Sequence, residues 1–175
     1  MNLKEIYREI IQDKKHNFYL VRVMREDDKI VNITAHKVIY KNQILELDEE
    51  EAGFCMIEKK DDDSVETLYE VKPKFRGTGL GGRLVDFTKE FAKKKGYRYV
   101  LLNKQERFVP HPLLKMDIDG NLQLYLNHNF QLSNSIRGKT YRFNMFCDLD
   151  EENKMSLDEY MLNILNNKSK AYIKS

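Results

Sequence analysis

The sequence predicts an α+β protein: a mixed, mostly antiparallel twisted sheet of six to seven strands flanked by helices. Three observations point there. Residues 18 to 71 alternate β-rich runs with short polar turns, which reads as an antiparallel meander. A glycine cluster then leads straight into an amphipathic helix. An apolar, β-rich run follows that helix, and a strand–helix–strand crossover makes its two strands parallel with a right-handed connection.

Each element has its own signal. Leu3, Ile6, Tyr7, Ile10 and Ile11 recur at helical spacing and predict a short N-terminal helix. Phe18 to Val23 and Ile30 to Tyr40 read as strands, joined by the polar turn 25 to 29. Lys41-Asn42-Gln43 turns the chain into a strand over 44 to 47. An acidic bend follows at 48 to 51, read as a solvated loop, then a strand over 52 to 58. After the charged turn 59 to 63, Val65 to Val71 is the strand that feeds the glycines. Leu80, Leu84, Phe87 and Phe91 form the apolar face of the central helix. Gly96 stops it after a basic last turn. Tyr97 to Asn103 is nearly continuous in apolar residues, as suits a strand buried on both faces. Pro110-His111-Pro112 resists regular structure within 104 to 119. Asn121 to His128 predicts a short helix. The last strands are expected at 131 to 132 and 139 to 149, around a turn at 133 to 138. Met155 to Tyr172 predicts a C-terminal helix after an acidic hinge. The resulting division is a domain over 1–149 and a helical extension over 150–175. Whether that helix docks on its own domain or makes a homodimer contact is left open by the sequence.

Composition narrows the function classes. The chain has 175 residues, enough for one domain with a sizeable core. Hydrophobic residues are 41% and charged residues 33%, as in globular proteins generally. Thirty basic against 28 acidic residues leave a net charge of +2, which makes no electrostatic case for nucleic acid. No apolar run nears the roughly 20 residues that cross a bilayer. The first residues lack a signal-peptide core. Cys55 and Cys147 lie far apart without metal-ligand spacing, so they read as reduced core thiols of a cytoplasmic protein with no metal.

The chemistry-bearing stretch is Lys74-Phe75-Arg76-Gly77-Thr78-Gly79-Leu80-Gly81-Gly82-Arg83-Leu84. It holds four of the chain's eight glycines. Such a cluster bares backbone N–H groups, and the helix behind it adds its own N-terminal amides and positive dipole end. That is an anion site, most often for phosphate. Gly77, Gly79 and Gly82 also spell a dinucleotide fingerprint, but it lacks its tight turn at a first strand. No Lys-Ser or Lys-Thr follows the glycines, so the P-loop pattern fails.

Arg76-x-x-Gly79-x-Gly81 resembles the signature of the GNAT superfamily of N-acetyltransferases. The run Tyr69 to Gly81 is similar to that family's strand, connector and pyrophosphate loop in the same order. The resemblance implies a GNAT-like sheet whose one parallel pair splays apart, with acetyl-CoA as co-substrate. Its cofactor-binding residues would be Tyr69, Glu70, Val71, Arg76, Gly77, Thr78, Gly79, Leu80, Gly81 and Gly82. The strand residues would bind through their backbone and the loop through its amides, with Arg76 also offering its side chain to phosphate. Tyr125-Leu126-Asn127-His128-Asn129-Phe130 resembles the family's Tyr-x-x-x-Gly-Phe ending, with Asn129 in place of the glycine. Tyr125 would then be the catalytic acid for the leaving thiolate. Glu106 is the carboxylate assigned as base, with Glu66 and Glu70 as alternatives and His111 as a loop histidine. The acceptor would be a primary amine of a small molecule or a protein. The other function classes are a catalytically silent acyl-CoA-binding module and, more remotely, a nicotinamide-dinucleotide protein.

Overall fold

The computed structural model describes residues 3–102, 120–132, 135–136, 139–140 and 145–150. The chain forms two compact units, Met1–Val100 and Leu101–Ser175. The first holds β1 (Lys4–Gln12), β2 (Phe18–Arg25), β3 (Ile30–Lys41), β4 (Ile44–Lys59), β5 (Ser64–Val71), a 3-10 turn (Pro73–Phe75), α1 (Leu80–Lys94) and the start of β6 (Tyr99–Leu102). The strands lie in the order β1-β2-β3-β4-β5-β6. From β1 to β5 each neighbour is antiparallel. β6 runs parallel to β5: the Arg98 and Tyr99 amides both donate to the Asp63 carbonyl, at 2.8 and 3.0 Å, so the two strands begin side by side. The expected meander, crossover and α+β class are all present.

Two expectations are corrected. Residues 4–12 form a strand, not a helix. The reason is a bulge. Glu5 faces Met24 and Tyr7 faces Val23, so Ile6 is an extra residue in the ladder. Across a bulge, three residues separate neighbours on one face, and beyond it the period of two returns. Tyr7 and Ile11 thus share a face at a spacing of four, imitating a helix. The acidic run 48–51 is not a loop either, because β4 is continuous through it. His36 faces Glu51 but Val38 faces Leu47, so three acidic residues bulge opposite one position of β3. The His36 ring bonds the Asp48 carbonyl there at 3.0 Å.

The sheet carries α1 on one face. Directly opposite residues form rows across the strands: Val23, Ile33, Cys55 and Tyr69 in one, Val21, Ala35, Gly53 and Val71 in the next. Small residues at the centre of the second row let the helix approach closely. A Cβ on Gly53 would stand 2.7 Å from a methyl of Leu84 and 3.6 Å from one of Leu80. Leu80, Leu84, Val85 and Phe87 are buried against this face, and Tyr7 of β1 stacks on Phe87. Tyr69 bonds the Thr88 hydroxyl. Thr88 already donates to the Val85 carbonyl at 2.8 Å, so Tyr69 is the donor. Burial pushes the Cys55 thiol up, and both cysteines are buried and free.

The second unit contains α2 (Gly120–Asn127), β7 (Gln131–Leu132), β8 (Ser135–Ile136), β9 (Lys139–Thr140) and β10 (Met145–Asp148). β7 pairs with β10, and β8 with β9, both antiparallel. The turn expected over 133 to 138 therefore contains a strand, and within the strand expected over 139 to 149 the described residues form β9 and β10. α2 ends as its sequence suggests. Asn129 takes a left-handed φ of 68°. The Phe130 amide reaches back to the Tyr125 carbonyl at 3.0 Å and the Asn129 amide to Leu126 at 3.3 Å, a Schellman closure. The segment 104–119 and the expected helix at 155–172 lie outside the described residues.

Gly53→Ala should destabilise the protein by about 1–3 kcal/mol through overpacking under α1. Thermal unfolding checks this: a midpoint lowered by several degrees is expected, and an unchanged midpoint would show that the helix is not seated on this position.

Candidate functional site

β5 ends at Val71, and the chain crosses a single 3-10 turn before the glycines. Lys72 donates its amide to the Ala52 carbonyl at 2.9 Å, Phe75 to Lys72 at 2.9 Å and Arg76 to Pro73 at 3.3 Å. These bonds use up the approach. The next six amides differ: among the described residues, none from Gly77 to Gly82 donates to a backbone carbonyl. The first helical bond of α1 runs from Arg83 to Gly79, at 3.1 Å. Gly77 and Gly79 have φ of 80° and 89°, a left-handed backbone that costs an L side chain about 1–2 kcal/mol. Two left-handed residues around Thr78 fold the loop into a concave nest of N–H groups at a helix N-terminus. No acidic side chain lies in the first turn of α1 to compete with an incoming anion.

The flanking side chains hold the nest in place. Arg76 Nε donates to the Val71 carbonyl at 2.9 Å, tying the loop to the end of β5. Its amide goes to Pro73, so only the exposed end of its guanidinium can serve the expected phosphate contact. Tyr69, Glu70 and Val71 are the last three residues of β5 and pair with Cys55, Phe54 and Gly53 of β4. The Tyr69 side chain is committed to α1. Glu70 is exposed and pairs with Lys72 at 3.1 Å, a contact of small energetic weight. Glu66, an alternative base in the sequence, is 8% exposed and pairs with Lys60 at 2.7 Å in the first half of β5. That pair raises the Lys60 pKa.

A contributor that sequence reasoning missed comes from the β1–β2 turn, residues 13 to 17. Asp13 is 6% exposed. Its Oδ1 accepts the Lys15 and Asn17 amides, both at 2.9 Å. Its Oδ2 accepts Asn17 Nδ2 at 3.0 Å and the Tyr19 hydroxyl at 2.8 Å. The turn is joined to the glycine loop, since Lys14 N donates to the Thr78 carbonyl at 2.9 Å. A Cβ on Gly79 would stand 2.8 Å from Lys14 Cγ. The available signal was a polar run, Asp13 to Asn17, between two apolar β-like runs. Reading residues 3–11 as a helix hid it.

Burial would raise the Asp13 carboxyl. Hydrogen bonds from the Asn17 side chain, the Tyr19 hydroxyl and the Asn17 amide outweigh it and bring the group down from 3.8 to about 2. The Tyr19 phenol is pushed up to about 12, by burial first and then by its bond to Asp13.

Tyr125 lies in the second unit on α2. It is 2% exposed and packs edge-to-face on Phe130 with ring centroids 5.5 Å apart. Glu106 and His111 fall outside the described residues. The structure therefore brings the cofactor-loop residues together in one strand–turn–helix, and describes Tyr125 within its own unit.

A family model described as an acetyltransferase (GNAT) domain matches residues 14–132. No curated protein sequence matches the chain. Among solved structures, the GNAT domain of S. lividans PAT superposes with a TM-score of 0.56 at 10% identity, covering 81% of this chain and 96% of that one. A cAMP-binding acyltransferase from Mycobacterium smegmatis gives 0.51 at 8% identity, covering 91% and 53%. A GNAT family acetyltransferase from Elizabethkingia anophelis with acetyl-CoA bound gives 0.46 at 19% identity, covering 69% and 76%.

The low carboxyl of Asp13 has a signed consequence. Its folded pKa lies below the unfolded one, so its contribution is complete above about pH 4 and is lost as pH falls toward 2, by about 2 kcal/mol in total. In denaturant unfolding, the stability gap between wild type and Asp13→Asn should narrow by most of that amount between about pH 6 and about pH 2.5. A gap constant over that range would contradict the assignment.

Proposed function

Since this chain belongs to the GNAT acetyltransferase family, we propose that it binds acetyl-CoA on the Arg76–Gly82 loop and transfers the acetyl group to a primary amine of a small molecule or protein, by direct attack in a ternary complex. The observation that carries the reading is the run of six amides from Gly77 to Gly82 without a backbone acceptor, set at the N-terminus of α1 immediately after β5. A diphosphate supplies both several acceptor oxygens and the negative charge that a helix N-terminus favours.

The roles proposed for the residues are those that the resemblance to the family implies. The loop amides hold the diphosphate. The backbone of Tyr69, Glu70 and Val71 aligns the pantetheine arm as an added strand. A backbone N–H of that strand donates to the thioester carbonyl oxygen as negative charge grows on it. Glu106 accepts the proton that the amine nitrogen loses on bonding to the acyl carbon. Tyr125 gives its phenolic proton to sulfur as the carbon–sulfur bond breaks, a step open to a phenol that is protonated at neutral pH. Acetyl-CoA supplies an activated acyl carbon with a thiolate leaving group. The catalytic domain is assigned to residues 1–149, and 150–175 to a helical extension.

Thiol release from acetyl-CoA with a panel of amines tests this. Turnover is expected with at least one amine, and Tyr125→Phe should lower kcat by about 10- to 1000-fold while leaving CoA affinity within about twofold. Unchanged turnover would remove the tyrosine from the mechanism. CoA binding with no turnover on any amine would leave a silent acyl-CoA-binding module instead.

A further inference from the structure

We infer that Lys14, presented by the β1–β2 turn, is a second cationic contact for the diphosphate, and that Asp13 is the residue that positions it. The inference rests on the coenzyme A reading above and concerns the opposite wall of the same site.

Three observations lead there. The Lys14 amide donates to the Thr78 carbonyl, between the two left-handed glycines, at 2.9 Å. Its stem lies along Gly79: Cβ, Cγ and Cδ stand 3.2, 2.8 and 3.0 Å from where a Gly79 Cβ would be. Gly79 therefore makes room for Lys14 as well as supplying a left-handed backbone. With the amide and the stem held against the glycine loop, ordering the ammonium there costs less entropy than for a free surface lysine. Finally, the two lysines of the approach face carboxylates, Lys72 facing Glu70 at 3.1 Å and Lys74 facing Asp48 and Glu50 at 3.8 and 3.7 Å, while Arg76, the first cationic contact, is tied through Nε to the Val71 carbonyl. Lys14 pairs with no carboxylate among the described residues.

Asp13 makes this geometry durable. Its carboxylate gathers the Lys15 and Asn17 amides, the Asn17 amide group and the Tyr19 hydroxyl. The turn is thereby anchored to β2, whose Tyr19 is buried. The bonds of the Asp13 carboxylate go to its own turn and to Tyr19, so it acts through Lys14.

Titration calorimetry with CoA and with 3′-dephospho-CoA, at low and at high salt, tests the pair. Lys14→Ala should weaken both ligands by about tenfold and flatten the salt dependence of binding. Lys14→Arg should stay within about threefold of wild type. Asp13→Ala should weaken binding, and Asp13→Ala with Lys14→Ala together should bind no worse than the weaker single variant, because one acts through the other. Wild type that binds CoA while Lys14→Ala binds equally well, with the same salt response, overturns the inference and leaves the function standing. A penalty seen with CoA but absent with 3′-dephospho-CoA overturns the diphosphate contact. Additive losses overturn the positioning role of Asp13. Wild type that does not bind CoA removes both the function and this inference.

Discussion

The first three amides of any helix lack intrahelical acceptors, and folding must find something for them to do. Most proteins cap them with a serine or an aspartate. In this chain Gly79 occupies the N-cap position and makes no side-chain bond. The sequence lengthens the deficit instead, adding the amides of Gly77, Thr78 and Gly79 to those of the helix. Leaving six polar groups without backbone partners is tolerable where water or an anion can reach them. The left-handed φ of Gly77 and Gly79 turns these amides into a cradle. Arg76 pins one side of it to the end of β5, and Lys14 pins the other to the N-terminal hairpin.

A cradle is useful only if it stays aligned with the strand that feeds it, and the core secures that. α1 sits over the row of small side chains formed by Ala35 and Gly53, where its Leu80 and Leu84 reach the sheet directly. The Tyr69 hydroxyl bonds Thr88 two turns into the helix, linking the end of β5 to α1 a second time. The two irregularities of β4, at Ala52 and at the acidic run, serve the same region. The extra residue of β4 is Ala52, whose carbonyl takes the Lys72 amide as the chain leaves β5. The bulged acidic run brings Asp48 and Glu50 to Lys74. The acidic residues thus hold the approach to the loop from outside.

The parts of the fold legible in the sequence were those with a strong local cause. α1 was readable from its apolar face and its glycine stop. β6 is buried at all four positions, as its unbroken apolar run implied. Asn129 was readable from the backbone demand at the end of α2. The misreadings share a physical origin. A bulge changes spacing without changing composition, so the strand β1 carried helical periodicity and the acidic bulge of β4 looked like a loop. Within the site, the nest was legible because glycine is the residue that its backbone needs. The hairpin that closes it was not, because Lys14 meets Thr78 across more than sixty residues of chain. Local pattern carries no trace of such a contact.

The claim that the Gly77–Gly82 amides hold a diphosphate is open to direct observation. In an NMR titration of the full chain with acetyl-CoA, the amide resonances of residues 77 to 82 should move in a saturable manner, together with those of Tyr69 to Val71. Resonances on the distant β3–β4 hairpin tip, around Asn42, should stay in place. Saturating acetyl-CoA that leaves residues 77 to 82 unmoved would contradict the claim.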